Sequence, residues 1–359
     1  MAPINVFVLG ATGFIGGDAF YAITHAHPEY ELVCLVRNSD KGATIAKDYP
    51  SVRLVYGDLD SHDLIAGEAA KANIVCNFAN ADHAGAVSAI IEGLKRETSA
   101  PKFYIHTSGT GILLIDDIKS GVFGETSDKV YDDLEGVSKL TSMPDDAPHR
   151  DVDKLVLAAG ATEGGHIKTA IVCPGTIYSA GRGPDNKRSH QVPELARVTL
   201  EKGYGVKVNA GRTYWNNVHV HDLSNLYLKL VEEAAAGGST AEWADKPAVW
   251  GKEGYYLCEG GEHIWGEVAQ LIATEAHKQG LIQAAEVKSI STDEAAAATR
   301  GGHAMWGANS RARAKRARIA LKWEPKEHGI GEGLDAVVEV EAKRLGLKPG
   351  HAKVAAGEV

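Results

Sequence analysis

Cysteine and methionine are scarce in this chain, with four and three copies, and aromatic residues make up only 7% of it. No apolar run approaches the ~20 residues needed to span a membrane. The cysteines, at 34, 76, 173 and 258, are too dispersed for a CxxC pair or a Cys/His zinc set. Three of them lie in apolar runs that read as strands, so buried, inert thiols are expected. A strand pattern begins within three residues of Met1 and leaves no room for a signal peptide, so the chain reads as cytoplasmic. Cations are in deficit too: 38 Lys and Arg against 47 Asp and Glu give a formal charge of -9. That balance offers no long-range attraction to nucleic acid or to an anionic membrane. A small-molecule substrate is the expected partner.

The 359 residues are 44% hydrophobic and 24% charged, enough for one large domain or two lobes with a substantial core. Short β-rich runs ("INVFVL", "ELVCLVR", "VRLVYG", "ANIVCNFA", "KFYIHTS", "KTAIVCPG") alternate with helical stretches such as 14–24 and 84–95. Strands apolar on both faces and separated by helices predict an α/β fold, a doubly wound parallel sheet covered on both sides. An acidic, glycine-rich insertion covers 115–148. Beyond 180 the alternation is less regular, with strands at "VKVN", "NNVHV" and "GYYLCEG" and helices near 223–235 and 264–277. A smaller mixed α/β lobe, closing over the end of the sheet, is expected over 181–345. Residues 210–235 rejoin the first domain (1–180), 234–254 read as a loop, and 346–359 as a frayed tail.

The first strand runs straight into "GATGFIGG". A strand turning tightly into a helix, with glycines at Gly10, Gly13 and Gly16, lets a pyrophosphate approach free helix N–H groups with no Cβ in the way. Thr12, Phe14 and Ile15 fill the turn, the last two placed to pack the helix on the sheet. The second strand ends at Arg37, 27 positions after Gly10, where an acidic residue would bind the ribose hydroxyls of NAD. A guanidinium there suits the 2'-phosphate of NADP, which is the preferred cofactor, with NAD the alternative. After the third strand, Asp58 and the Leu59 amide can pair with an adenine edge, although Asp58 could equally begin a turn.

These motifs, with "FYIHTSG", "AIVCPGTIY", "NNVHVHDLSNLYLKLV" and "LKWEPKE" following in order to about residue 328, resemble the extended short-chain dehydrogenase/reductase superfamily of NAD-dependent epimerase/dehydratase type. The resemblance implies a Rossmann domain with a nicotinamide cofactor across the strand ends, a substrate between the lobes, and a possible homodimer. By position it makes Ala79 a cofactor contact, Lys154 the ribose-binding lysine, and Pro174 with Gly175 the nicotinamide-side loop. It also places Asp222 at the start of the helix after "VHVHD". Chemistry would fall to a Ser/Thr after the fifth strand, a tyrosine and the lysine. Here Arg150 stands four residues before Lys154, where that tyrosine belongs, and Gly109 falls on the hydroxyl position, between Ser108 and Thr110.

Arginine stays protonated and is a poor proton donor, so the usual tyrosine role is vacant. Another acid could project into the site, from Tyr131, His149, Tyr178 or Tyr214. Alternatively, Arg150 could polarise a carbonyl while Ser108 or Thr110 relays the proton, with Trp215 as a flat wall. His219 and His221 lie on one strand face, but no third ligand follows at useful spacing, so no metal is expected. The "RARAKRAR" segment reads as a solvated helix face. The sequence therefore predicts an atypical NADP-dependent oxidoreductase acting on a small organic carbonyl, alcohol or activated double bond. A non-catalytic NADP(H)-binding redox sensor is the competing class, and a sugar-nucleotide epimerase or dehydratase is less favoured because those reactions lean on the tyrosine.

Overall fold

The computed structural model describes residues 3–162, 165–238 and 247–348. The first five apolar runs form β1 (Asn5–Leu9), β2 (Glu31–Val36), β3 (Arg53–Tyr56), β4 (Ile74–Asn77) and β5 (Lys102–Thr107). There follow β6 (Tyr131–Asp132) in the insertion, β7 (Ile167–Pro174), β8 (Thr176–Tyr178), β9 (Gly205–Val208) and β10 (Tyr214–His219). The last four are β11 (Tyr255–Cys258), β12 (Gly261–Ile264), β13 (Val287–Ile290) and β14 (Ala312–Arg313).

Seven of these strands make one parallel sheet in the order β11-β7-β5-β4-β1-β2-β3. Its central strands are buried on both faces, which explains their unbroken apolar runs. Helices Phe14–Ala26 and Val220–Ala235 cover one face through Phe20, Ile23, Leu226 and Leu230. Helices His62–Lys71, Ala84–Lys95 and Arg150–Gly160 cover the other through Ile65, Ile90, Val152 and Val156. All four cysteines are unpaired and buried, on β2, β4, β7 and β11. The connection reverses direction between β1 and β4, which opens a crevice at the carboxyl ends of the strands.

One boundary differs from expectation. The run "YYLC", assigned from sequence to the C-terminal lobe, is the seventh strand of the large sheet, with Tyr255 opposite Ile171 and Cys258 opposite Pro174. All four of its residues are buried, so its apolar run needs cover on both faces, which a small surface sheet does not give. The smaller lobe has its own core, built on Trp215, Trp265, Trp306 and Ile272. Helices Gln191–Lys202, Trp265–Lys278 and Leu334–Arg344 surround it, with the β9/β13 pair and the β8, β10, β12 sheet. The basic segment also departs from expectation. Only Lys315–Ala320 is helical, and Arg316 is 1% exposed, its guanidinium donating to the carbonyls of Asp133 and Ala248. Most of the expected tail (349–359) and part of the 234–254 loop lie outside the described residues.

Candidate active site

The glycine turn takes the conformation its sequence demands. Gly10 has φ +87°, and a Cβ there would lie 2.7 Å from the Phe78 carbonyl carbon and 2.8 Å from the Ala79 amide nitrogen. A Cβ on Gly16 would meet the Gly10 carbonyl oxygen at 2.3 Å, so the helix packs against the turn only because both residues are glycine. Gly13 caps the helix with extended backbone and no side-chain cap, so no side chain of its own covers the first N–H groups. The turn opens on a cavity of about 600 Å³ whose lining includes Thr12, Arg37, Lys41, Asp58, Leu59 and Ala79. These features fit a dinucleotide.

Arg37 is exposed at the carboxyl end of β2. Lys41, one helical turn further on, is ion-paired with Asp185. Asp58 Oδ1 accepts from the Asp60 amide at 3.1 Å and from Ser61 Oγ at 2.9 Å, so Asp58 does begin a turn. The Ser61 hydroxyl and these amides hold its carboxyl below the usual range. The Ala79 amide donates to Asn77 Oδ1 at 3.2 Å. A second cavity of about 510 Å³ shares Phe78 and Asn186 with the first and adds Phe14, Ile15, Gly175 and Arg188. Gly175 is compelled there, since a Cβ would lie 2.3 Å from the Asn216 carbonyl oxygen. Pro174 ends β7 just before it.

The Arg150–Gly160 helix carries Arg150 and Lys154, the two residues the family resemblance singles out. Its buried face is Arg150, Val152, Asp153, Val156 and Ala159. Lys154, next in line after Asp153, is rotated outward by the ~100° helical step. Its ammonium, half exposed, donates to Asp145 Oδ1 at 2.8 Å. Arg150 is buried. Its Nε donates to the Met143 carbonyl at 3.0 Å and its Nη2 to the Thr141 carbonyl at 2.7 Å, bracing the end of the insertion.

Near Arg150 and Lys154 lie His149, the N-cap of the helix, and the buried Asp153. His149 Nδ1 lies 2.6 Å from Asp82 Oδ1. Its Nε2 is turned to the loop after β5, where a Cβ on Gly109 would come within 3.2 Å and one on Gly111 within 2.8 Å. Burial alone would lower the His149 pKa, but the Asp82 bond and charge, with Asp153 and Asp151 nearby, hold it above the ordinary histidine value. Asp153 is wholly buried and accepts from the Tyr255 hydroxyl at 2.7 Å, and burial pushes its pKa up to about 6. Ser108 and Thr110 are buried beside this group; the Ser108 hydroxyl interacts with Asp153, and the Thr110 hydroxyl lacks a hydrogen-bond partner among the described residues.

The other candidates lie elsewhere. Tyr131 packs in the core beneath the same helix, with Lys129 Nζ 4.9 Å above its ring. Tyr178 donates to the His328 carbonyl at 2.6 Å, and the Tyr214 ring sits under the Arg311 guanidinium at 4.3 Å. Trp215 belongs to the second core and donates to the Ala308 carbonyl. Asp222 lies in the first turn of the helix, whose cap is His219, and accepts from the amides of Lys326 and Glu327. Glu327 also supplies a third carboxylate-or-imidazole neighbour to His219 and His221, with ligand atoms within 4.8 Å of one another, which spacing along the chain did not offer. His219 Nδ1 accepts from the His221 amide at 3.1 Å. Sequence reasoning missed Asp82, Lys41, Asn186 and Asp153. Only Asp153 carried a signal, beside the i, i+4, i+7 spacing of Val152, Val156 and Ala159 on the buried helix face.

The sheet order, the glycine turn and the crevice above the switch point define an extended short-chain dehydrogenase/reductase fold. A dTDP-glucose 4,6-dehydratase from Bacillus anthracis in complex with NAD superposes with a TM-score of 0.64 at 16% identity, covering 95% of this chain and 97% of that one. A UDP-glucuronic acid 4-epimerase from Bacillus cereus, in complex with UDP-glucuronic acid and NAD, gives 0.63 at 15% identity, covering 95% and 100%. No protein-family model matches. The oxidase ucsJ of Acremonium sp is 41% identical over 344 residues, 96% of this chain and 99% of that protein. The chain belongs to the family of that oxidase, and its fold is that of the extended short-chain dehydrogenase/reductases.

Proposed function

We propose that the protein is an atypical nicotinamide-dependent oxidoreductase, with NADP preferred, acting on a small organic carbonyl, alcohol or activated double bond. The observation that carries this reading is the Gly10 turn opening on a cavity of about 600 Å³ with Arg37 at its rim. Kinship with an oxidase supports a redox reaction over epimerisation or dehydration. Gly10, Gly13 and the amides of Phe14 and Ile15 would hold the pyrophosphate. Asp58 and Leu59 would meet the adenine, and Ala79 and Gly175 would flank the nicotinamide end. Arg37 would pair with a 2'-phosphate, with Lys41 released from Asp185 to join it. The cofactor, when bound, supplies or accepts the hydride.

NADPH and NADH titrations followed by nicotinamide fluorescence test the preference. Arg37→Ala is expected to weaken NADPH binding about 10- to 100-fold, the ~1.5–3 kcal/mol of one charge-assisted contact, and to leave NADH nearly unchanged. Tighter binding of NADH than NADPH by the unmodified protein would overturn it.

A further inference from the structure

The loop after β4 and the turn before the Arg150–Gly160 helix bring an imidazole and a carboxylate together at the carboxyl edge of the sheet. Asp82 follows Asn80, which lines the dinucleotide cavity, by two residues. His149 reaches it across 67 positions of chain. The imidazole is held from three sides. Asp82 Oδ1 receives Nδ1–H at 2.6 Å. The backbone of His149 is left-handed, φ +66°, a conformation that costs a non-glycine residue about 1 kcal/mol or more and is retained where the surroundings fix it. Gly109 and Gly111 leave the room that Nε2 occupies, since a Cβ on either would crowd it.

From this geometry we infer that His149 is the proton-transfer residue of the site, standing in for the missing tyrosine, and that Asp82 is its positioning residue. The inference rests on the oxidoreductase reading above. With Nδ1–H donated to Asp82, Nε2 becomes the basic nitrogen, and it is the one turned toward the loop after β5. In alcohol oxidation the hydroxyl proton passes to Nε2 as the C–O bond becomes C=O, while the carbinol hydrogen leaves with both electrons as hydride to the oxidised cofactor. Carbonyl reduction returns the same proton. Arg150, beside it in sequence, commits Nε and Nη2 to the Met143 and Thr141 carbonyls.

The charged and titratable groups around His149 are Asp82 from the β4 loop, His106 on β5, and Asp151, Asp153 and Arg150 on its own helix. His106 is wholly buried, and burial, then the neighbouring His149, pushes its pKa down to about 3, so it remains neutral while His149 titrates. The carboxylates favour the imidazolium and, through it, proton return to a carbonyl oxygen near neutral pH.

The test uses the full chain, with NADPH as cofactor probe and 9,10-phenanthrenequinone as carbonyl probe. Imidazole-edited NMR is expected to show His149 titrating above the ordinary ~6.5, and Asp82→Asn to bring it back toward or below that value. His149→Gln should bind NADPH with an affinity close to that of the unmodified protein while losing about 10²- to 10⁴-fold in turnover, the range general acid catalysis supplies. Asp82→Asn should move the kcat pH profile in the direction of its NMR titration. Turnover by His149→Gln at the unmodified rate, or a His149 titration indifferent to Asp82→Asn, would overturn the inference. If the unmodified protein binds no NADPH, the cofactor reading fails first. If it binds NADPH yet reduces no carbonyl, the oxidoreductase reading falls and the role of His149 falls with it.

Discussion

At the residue scale the sharpest question is what Arg150 does where the family resemblance expects a tyrosine, and two of its nitrogens have backbone partners. A guanidinium donating through Nε and Nη2 to the carbonyls of Met143 and Thr141 is a fork bridging two turns of backbone. Arg150→Ala should destabilise the protein by about 3 kcal/mol, since it strands two carbonyls and removes a buried side chain. Arg150→Lys should recover little, because one ammonium cannot span both acceptors. NADPH affinity should stay within about twofold, well under the 1.4 kcal/mol of a tenfold change. Urea denaturation beside an NADPH titration checks this. A large loss of turnover with undiminished stability would return Arg150 to the chemistry.

At the scale of elements, the part of the site legible in sequence is the part that is contiguous in sequence. The glycine turn is a single βα unit, and its backbone requirement is written in consecutive residues, so Gly10 to Gly16 and the cavity they open could be anticipated. The register of the Arg150–Gly160 helix was legible in principle, because Val152, Val156 and Ala159 mark the buried face and put Asp153 on it, not Lys154. The His149–Asp82 contact was not legible, because nothing local signals a partner on another strand's loop. The place of Tyr255–Cys258 in the sheet was hidden for the same reason: edge neighbours are chosen by crossover connections, and residues 255–258 look like any short strand. The turn also yields a paired prediction. Gly16→Ala puts a Cβ 2.3 Å from the Gly10 carbonyl oxygen and should lower both the melting temperature and NADPH affinity. A Cβ on Gly13 meets that oxygen only at 3.2 Å, so Gly13→Ala should keep stability nearly intact while weakening NADPH by crowding the phosphate face. Equal thermal losses in both variants would show that the turn is purely structural.

At the scale of the whole molecule, the loop that leads from β8 into the second lobe is stitched to the dinucleotide turn. The Asn186 amide donates to the Thr12 carbonyl at 3.3 Å, and a Cβ on Gly183 would lie 2.6 Å from Gly17 Cα. Asp18, wholly buried on the first helix, accepts from the Arg182 amide at 2.7 Å and from its Nη2 at 2.6 Å. A few residues on, Arg188 lines the second cavity and pairs with Glu194 and Glu341 of the second lobe. The Gly10–Gly16 turn and the second lobe are thus joined through residues 182–188, and Asp18 is the anchor on the sheet side. Burial alone would raise the Asp18 pKa, but the Arg182 hydrogen bonds and charge, with Ser224, bring it below the ordinary value. A carboxyl whose folded pKa is depressed contributes its full stabilisation above the unfolded value of ~3.9 and loses it as pH falls through the folded pKa. Asp18→Asn should therefore cost about 3–5 kcal/mol at neutral pH, the penalty for breaking a buried pair, and the gap to the unmodified protein should close as pH drops below about 4. Denaturant unfolding of both proteins from pH 7 to pH 3 measures it. A gap that stays constant across that range would show that Asp18 carries no charge in the folded protein and that its anchoring is by neutral hydrogen bonds alone.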